Sequence, residues 1–372
     1  MAALAGLLLL IGGIGAIGVA THNGSVSTTA GTSIGSGQLG SGSGTGSVTT
    51  NARDAVVTIT TFTRSFGPTS IIGGQNGLTP LGAGTGMILT SSGEVLTNNH
   101  VVQGAWSIHV SIPGHSGTYT ANVVGASPTA DVALLQLQNA SGLPTVTLGD
   151  ASSLSIGDHV VAIGNALGRG TTTTTSGTVS GLNRSITAQD PTGDAEHLTG
   201  LIQTNAPIVP GDSGGALVDS SGEVVGMITA GSSTGPGQTA TKVGFAIPVD
   251  NALGIANEIR AGHGSSTILL GERGYLGVAV RPLDAAAAAQ LGLGTTSGAL
   301  VVGIQPGSPA AAIGITAPAV ITAVDGRSVA SADALGPILH AHTPGERVRV
   351  TWVDQQGATH TATANLISGP AV

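Results

Sequence analysis

The sequence contains no cysteine, which excludes disulfides, Cys-ligated zinc and a thiol nucleophile together. Lysine occurs once, at Lys242, among eleven basic residues. With no basic cluster to neutralise phosphates, nucleic acid is excluded as a partner. Aromatic residues make up only 2% and charged residues only 8% of the 372 positions, and the formal charge of -8 is thinly spread. Long charged helices and large aromatic cores are therefore out of reach. What the chain does have is 61 glycines with abundant Ala, Val and Thr, a composition suited to small β-rich cores. Its length accommodates about two or three domains.

Residues 3–20, ALAGLLLLIGGIGAIGVA, form an uncharged apolar run of the length that crosses a bilayer. Segment 1–20 is expected as an N-terminal hydrophobic helix, either a membrane anchor or an export signal. Gly18 and Ala20 offer the small side chains that a signal peptidase accepts. The run contains GIGAIG, a literal match to the dinucleotide-binding pattern G-x-G-x-x-G. No strand-to-helix turn surrounds it, and residues 21–50 hold no acidic side chain for a ribose, so the match is accidental. Residues 21–50, rich in Gly, Ser and Thr, read as a flexible tether.

From residue 51 to 262 the pattern becomes short Val-, Ile- and Thr-rich runs such as AVVTITTFT, GEVLTNN, VALLQLQ and HVVAIGN, separated by Gly, Ser, Asp and Asn turns. Long helical periodicity is missing, and the spacing predicts an all-β region large enough for two barrels. A helix in PVDNALGIANEIRAGHG closes this region, with Pro248 and Asp250 at its start and Gly262 past its end. After a linker at 263–270, residues 271–368 read as a small α+β domain. Its elements are strand YLGVAV, a helix from Asp284, strand GALVVGIQ, turn PGSPA, strand AVITAVDG, helix SADALGPILHA and two final strands.

Within the β region, APIVPGDSGGALV sets Ser213 among glycines. A serine hydroxyl is inert as a nucleophile without a neighbouring base. Of the ten histidines, His22 lies in the tether, while His263, His340, His342 and His360 lie in or beside the last domain. His109 and His115 fall within or just after a strand, and His159 and His197 fall on polar turns. His100 differs, because GEVLTNNHVV carries a strand into a polar turn and delivers the imidazole at its end. Asp131 stands directly before the apolar strand VALLQL, a costly place for a carboxylate unless it is paired. His100 would be that partner, held by the acid in one tautomer. The amides of Gly211 and Ser213 would then donate to an oxyanion, which the neighbouring glycines leave room to approach. The pattern G-x-S-x-G also occurs in α/β-hydrolases, where a helix follows the serine and the acid and histidine come later. Here a hairpin follows Ser213 and the chain order is His, Asp, Ser, which favours the chymotrypsin type.

Together, TNNHVV, DVALLQL, AIGNALG, LIQTNAPIVPGDSGGALV, GEVVGMIT and GFAIP resemble the HtrA (Deg) family of serine proteases. GYLGV and GALVVGIQPGSPAAAIGI resemble the PDZ domain that follows the protease in that family. The resemblance covers most of the chain from residue 51. It implies a mainly β fold, a chymotrypsin-like double β-barrel followed by a PDZ domain. It also implies ATP-independent endoproteolysis of unfolded or mislocalised proteins through an acyl-enzyme, without cofactor or metal. The implied location is membrane-tethered or exported, facing outward, and the implied assembly is a homotrimer or a multiple of trimers. Residue by residue, it implies a triad of His100, Asp131 and Ser213 and an oxyanion hole at the amides of Gly211, Asp212 and Ser213. Asp212 stands where many members have Asn. The specificity pocket would be floored by Pro207 and Ile208 and walled by Ile228, Thr229 and Ala230, an uncharged set suited to a small or medium aliphatic side chain. Residues 168–200 correspond to loops that switch the site. Tyr275, Leu276, Gly277 and Val278 correspond to the carboxylate-binding loop, where successive amides hold the end of a C-terminal peptide that adds to the sheet edge. The Pro-Gly-Asp turn usual in the family is missing from GITAPAVITAVDG. A proteolytically silent, PDZ-bearing chaperone or scaffold is the alternative, and the intact His, Asp and Ser set argues against it.

Overall fold

The computed structural model describes residues 51–64, 78–165, 172–189, 195–231, 243–293 and 295–371. The hydrophobic segment 1–20, the tether 21–50 and parts of the 168–200 loops lie outside the described residues. Among the described residues, no helix is long and apolar enough to cross a membrane.

The first strands are β1 (Val56–Arg64), β2 (Leu78–Ile88) and β3 (Glu94–Thr97), followed by the short helix α1 (Asn99–Val102). Then come β4 (Ser107–Ser111), β5 (Tyr119–Ser127) and β6 (Val132–Leu137). They lie in the order β5-β4-β1-β2-β3-β6, and a β5–β6 pairing closes the ring. Burial alternates as a strand's two-residue period requires: in β4, Ile108 and Val110 point inward while Ser107, His109 and Ser111 are only partly covered. The continuous apolar run of β6 has a different cause. Ala133, Leu135 and Leu137 fill the barrel interior, whereas Val132 and Leu134 on the other face meet the second barrel.

The second barrel comprises β7 (His159–Gly164), β8 (Thr173–Gln189), β9 (Ala195–Thr204), β10 (Ala216–Val218), β11 (Val224–Gly231) and β12 (Gly244–Pro248). It closes in the order β10-β11-β12-β9-β8-β7 around Val160, Val179, Ile202, Leu217 and Ile228. Helix α2 (Val249–Arg260) follows. Its Val249, Ala252, Ala256 and Ile259 join Met87, Leu96 and Leu134 of one barrel and Ile163, Leu201 and Met227 of the other in a shared core. Full burial of each large aliphatic side chain is worth roughly 1.5–3 kcal/mol, so the two barrels are welded along this seam.

Only the C-terminal end of α2 follows capping chemistry, since Pro248 at the N-cap position makes no side-chain cap bond. Asp250 in its first turn accepts a hydrogen bond from the Ala151 amide at 3.0 Å. Gly262 takes φ 73°, and the His263 amide donates to the Glu258 carbonyl at 2.9 Å, the pattern of a Schellman motif. The segment read as a linker does not stay one throughout. It ends in β13 (Leu269–Leu270), which pairs with β5 and extends the first sheet, a pairing too short to leave a periodic signal.

The last domain contains β14 (Gly274–Tyr275), β15 (Val278–Pro282), helix α3 (Ala285–Leu291), β16 (Ala299–Ile304), helix α4 (Pro309–Ala312) and β17 (Ala319–Val324). It continues with β18 (Arg327–Ser328), helix α5 (Ala332–His340), β19 (Arg347–Asp354), β20 (Thr359–Asn365) and β21 (Ile367–Ser368). The main sheet runs β15-β16-β17-β19-β20, with β18 on β17, and β14 pairs separately with β21. Two expectations change here. YLGVAV is not one strand, because the chain turns at Leu276 and Gly277, the latter at φ 83°, and passes from one sheet to another. PGSPA is not only a turn: Pro309 opens α4, and Ser308 Oγ caps it by accepting from the Ala311 amide at 3.2 Å.

Candidate active site

At the end of β3 the chain enters α1, which carries His100 at the barrel seam, its side chain 23% exposed. Asp131 ends a short 3-10 turn at Pro128–Ala130, immediately before β6, and is fully buried. Its carboxylate meets His100 twice over. Nδ1 lies 2.9 Å from Oδ2, and the His100 amide donates to Oδ1 at 3.0 Å. Thr229 Oγ1, from β11, donates to Oδ2 at 2.6 Å. A buried carboxylate with that many donors has its charge compensated, and it fixes Nδ1 as the protonated ring nitrogen.

Ser213 sits in the turn before β10, on the opposite barrel. Its Oγ donates to the Thr229 carbonyl at 3.2 Å. Thr229 thus touches both Ser213 and Asp131, and the four residues converge across the seam. The turn itself is bound to the first barrel through Thr85 of β2. The Thr85 amide donates to the Ser213 carbonyl at 2.8 Å, and its Oγ1 donates to the Gly211 carbonyl at 2.7 Å. The same Oγ1 accepts from the Asn165 amide at 2.9 Å. Such close approach demands Gly214: it sits at φ 84°, and a Cβ there would collide with the Thr85 carbonyl oxygen and Thr97 Oγ1.

Of the amides expected to line an oxyanion hole, those of Gly211 and Ser213 have no acceptor among the described residues. The Asp212 amide is different, since it donates to the Val209 carbonyl at 3.1 Å and is spent within the turn. The Asp212 carboxyl is buried. Oδ2 accepts from the Val209 amide at 3.0 Å while Oδ1 has no partner among the described residues, and burial pushes the pKa of the carboxyl above the ordinary carboxylate value.

The residues expected to form a specificity pocket separate. Ile208 and Ile228 pack in one apolar cluster inside the second barrel, with Ile208 filling the space left by Gly244. Pro207 instead lines an outer depression with His159, Ser176 and Asn205, and its carbonyl accepts from Thr175 Oγ1 at 3.0 Å. The Thr229 side chain is committed to Asp131, and Ala230 pairs with Phe245 along β11 and β12. Thr229 and Thr85 carry site geometry that sequence reasoning missed or misassigned. Other histidines make local pairs: His109 with Ser107, His263 with Glu258, His342 with Glu346 and His360 with Asp354. No group of three or more His, Asp or Glu that could hold a metal ion occurs among the described residues.

In the last domain, Leu276 is fully buried, and its carbonyl accepts from the Ala310 amide at 2.9 Å. The Gly277 carbonyl accepts from the Gln305 amide, also at 2.9 Å. The amides of Leu276 and Gly277 have no acceptor among the described residues. They stand immediately before β15, an edge strand of the main sheet. Tyr275 pairs with Ile367 and sets its ring edge-on to Trp106 of the first barrel, centroids 5.1 Å apart, while Arg64 lies over the same Trp106 ring. The chain end reinforces this contact. The Gly104 amide donates to the Ala371 carbonyl at 2.7 Å, and the Ala371 amide donates to the Ala105 carbonyl at 2.8 Å.

Residues 84–227 match the family model of a trypsin-like peptidase domain, and residues 274–366 match that of a PDZ domain. Fold and site therefore define a trypsin-like peptidase joined to one PDZ domain. The chain is 35% identical over 296 residues to the serine protease PepD of Mycobacterium tuberculosis (strain ATCC 25618 / H37Rv), which spans 76% of this chain and 60% of that protein. It is 36% identical over 272 residues to the periplasmic pH-dependent serine endoprotease DegQ of Escherichia coli (strain K12), spanning 72% of this chain and 56% of that one. Among solved structures, the HtrA-type protease AlgW with a tripeptide is 31% identical, with a TM-score of 0.48, covering 87% of this chain and 97% of that one. The chain belongs to the HtrA (Deg) family of serine proteases. It spans little more than half the length of the two curated relatives described.

Proposed function

We propose that this protein is a serine endopeptidase that cleaves unfolded or mislocalised proteins outside the cytoplasm. The observation that carries this reading is the continuous hydrogen-bonded set of Ser213, Thr229, Asp131 and His100 beside two amides without acceptors among the described residues. In the reaction, the Ser213 hydroxyl turns from the Thr229 carbonyl toward His100 Nε2 and gives up its proton as Oγ attacks the scissile carbonyl. Asp131 stabilises the imidazolium that forms, without taking its proton. The amides of Gly211 and Ser213 receive the oxyanion, a contribution of about 10²–10³ in kcat for each such donor. Collapse of the tetrahedral intermediate expels the amine, protonated by His100, and leaves an acyl-enzyme that water then hydrolyses by the same steps.

The PDZ domain would bind C-terminal peptides at the Leu276 and Gly277 amides, the peptide adding as a strand to β15. Contact of Tyr275 with Trp106, a few residues beyond α1, supports regulation of the protease by that peptide. Segment 3–20 would tether or export the chain, in keeping with the periplasmic relatives, and a homotrimer or a multiple of trimers is the proposed assembly. The test is hydrolysis of casein by the full chain and by Ser213→Ala. Loss of cleavage in the variant is expected, and equal cleavage by the two would refute the protease reading in favour of a silent chaperone or scaffold.

A further inference from the structure

One fully buried polar side chain beside the candidate site has no part in the chemistry so far. Asn98 is 0% exposed and occupies the N-cap position of α1, with extended backbone at φ -76° and ψ 150°. Asn is favoured at that position because its side-chain oxygen can accept from an amide in the first turn. Here it makes no such bond. Its Nδ2 reaches 33 residues along the chain and donates to the Asp131 carbonyl at 2.9 Å. The α1 amide that a cap would satisfy is met from the other direction, by Asp131 Oδ1 on the His100 amide at 3.0 Å. Each residue thus satisfies the other's segment, and the two form a reciprocal latch.

The latch bears on a strained position. Asp131 has φ 53° and ψ 46°, the left-handed region that residues other than Gly hold only when their surroundings over-determine them. Relaxation to an ordinary backbone conformation would turn the carboxylate away from His100 Nδ1 and from Thr229 together. Asn98 Oδ1, moreover, is buried without a partner among the described residues, a cost that an apolar residue at this position would not carry. Stability alone therefore does not account for Asn here.

We propose that Asn98 is a positioning residue: by holding the Asp131 carbonyl it fixes the left-handed backbone that aims the Asp131 carboxylate at His100. The proposal rests on the reading of His100, Asp131 and Ser213 as the reacting set. It makes Asn98 act only through Asp131, so its loss should slow acylation while leaving substrate affinity alone.

The experiment measures the rate at which a fluorophosphonate labels Ser213 in the full chain, with kcat and KM on a fluorogenic casein, for wild type and for Asn98→Ala, Asn98→Leu, Asp131→Asn and Asn98→Ala/Asp131→Asn. Thermal unfolding identifies which variants are folded. Both Asn98 variants are expected to label about 10²-fold more slowly, the scale of a small misplacement of a reacting group, with KM within about twofold of wild type. Asn98→Ala should cost nothing further once Asp131→Asn is present, because residues that act as a unit are not additive. The Leu variant separates packing from the donor, since it fills the space and removes the unpartnered oxygen. Labelling within about twofold of wild type in a folded variant, or a full multiplicative loss on top of Asp131→Asn, overturns the proposal. So does failure of both Asn98 variants to fold, which would make the residue structural. If Asp131→Asn itself labels at the wild-type rate, the reading of the reacting set fails, whatever Asn98 does.

Discussion

Thr85→Val tests whether the turn bearing Ser213 is held from the opposite barrel. Valine keeps the β-branched shape and removes only the hydroxyl. The Thr85 amide on the Ser213 carbonyl and the Thr97 hydroxyl on the Thr85 carbonyl are untouched. What is lost is the donor to the Gly211 carbonyl at 2.7 Å and the acceptor of the Asn165 amide at 2.9 Å. Thr85 is fully buried, so water cannot readily replace it. Each buried group deprived of its partner costs about 1–3 kcal/mol, and the added methyl returns about 0.8 kcal/mol of burial. A net loss of about 3 kcal/mol is expected, which for a protease domain of this size lowers Tm by about 6–12 °C.

Activity should fall further than stability predicts. The Gly211 carbonyl belongs to the peptide that follows the proposed oxyanion donor, and once freed it can rotate and carry the turn with it. Misplacing one such donor costs about 10²–10³ in kcat. The assay is kcat and KM on a fluorogenic peptide well below the lowered Tm, with Thr85→Ser as the control that restores the hydroxyl. A Thr85→Val enzyme with kcat within about twofold of wild type would refute this role. An unchanged Tm would show instead that the two bonds contribute nothing.

Two further perturbations probe the same turn. Gly214→Ala places a Cβ against the Thr85 backbone at φ 84°, where neither neighbour is a flexible side chain that can yield; it should abolish fluorophosphonate labelling, and wild-type labelling would sink the requirement. Asp212→Asn should raise Tm at neutral pH and leave it unchanged near pH 3. The Asp212 pKa is raised by burial, so its stabilising contribution is full below the ordinary carboxylate pKa of about 3.9 and is lost as pH rises through the folded value. A Tm difference that shrinks between pH 4 and 8 would contradict that sign.

How much of this was legible in sequence depended on where each residue stands. His100, Asp131 and Ser213 each lie at the junction of an apolar strand and a polar turn, where a functional side chain interrupts a pattern. Thr85 interrupts nothing. It is one more threonine in GAGTGMILT, and its role appears only because β2 meets a turn 126 residues further on. Thr229 was legible only as one residue of an uncharged pocket wall; in the structure the register of β11 shifts between Ile228 and Ala230. That irregularity aims its hydroxyl at Asp131 rather than at a pocket. Asn98 was hidden by its own plausibility: an Asn before a helix looks like a cap, and only the structure shows its amide spent elsewhere.

The same residues explain why the site lies between barrels rather than within one. His100, Asp131, Asn98 and Thr85 come from the first barrel, while Ser213, Gly211 and Thr229 come from the second. The bonds from Thr229 to Asp131 and from Thr85 to Gly211 and Ser213 cross the seam, whereas those of Asn98 and His100 with Asp131 and of Ser213 with the Thr229 carbonyl stay within one barrel. The geometry is therefore no more rigid than the packing of Met87, Leu96 and Leu134 against Ile163, Leu201 and Met227 beneath it. A chain with few aromatic residues builds that packing from aliphatic side chains and close backbone approach. This is why a glycine with no room for a Cβ and two buried threonine hydroxyls matter as much to the site as the residues that meet the substrate.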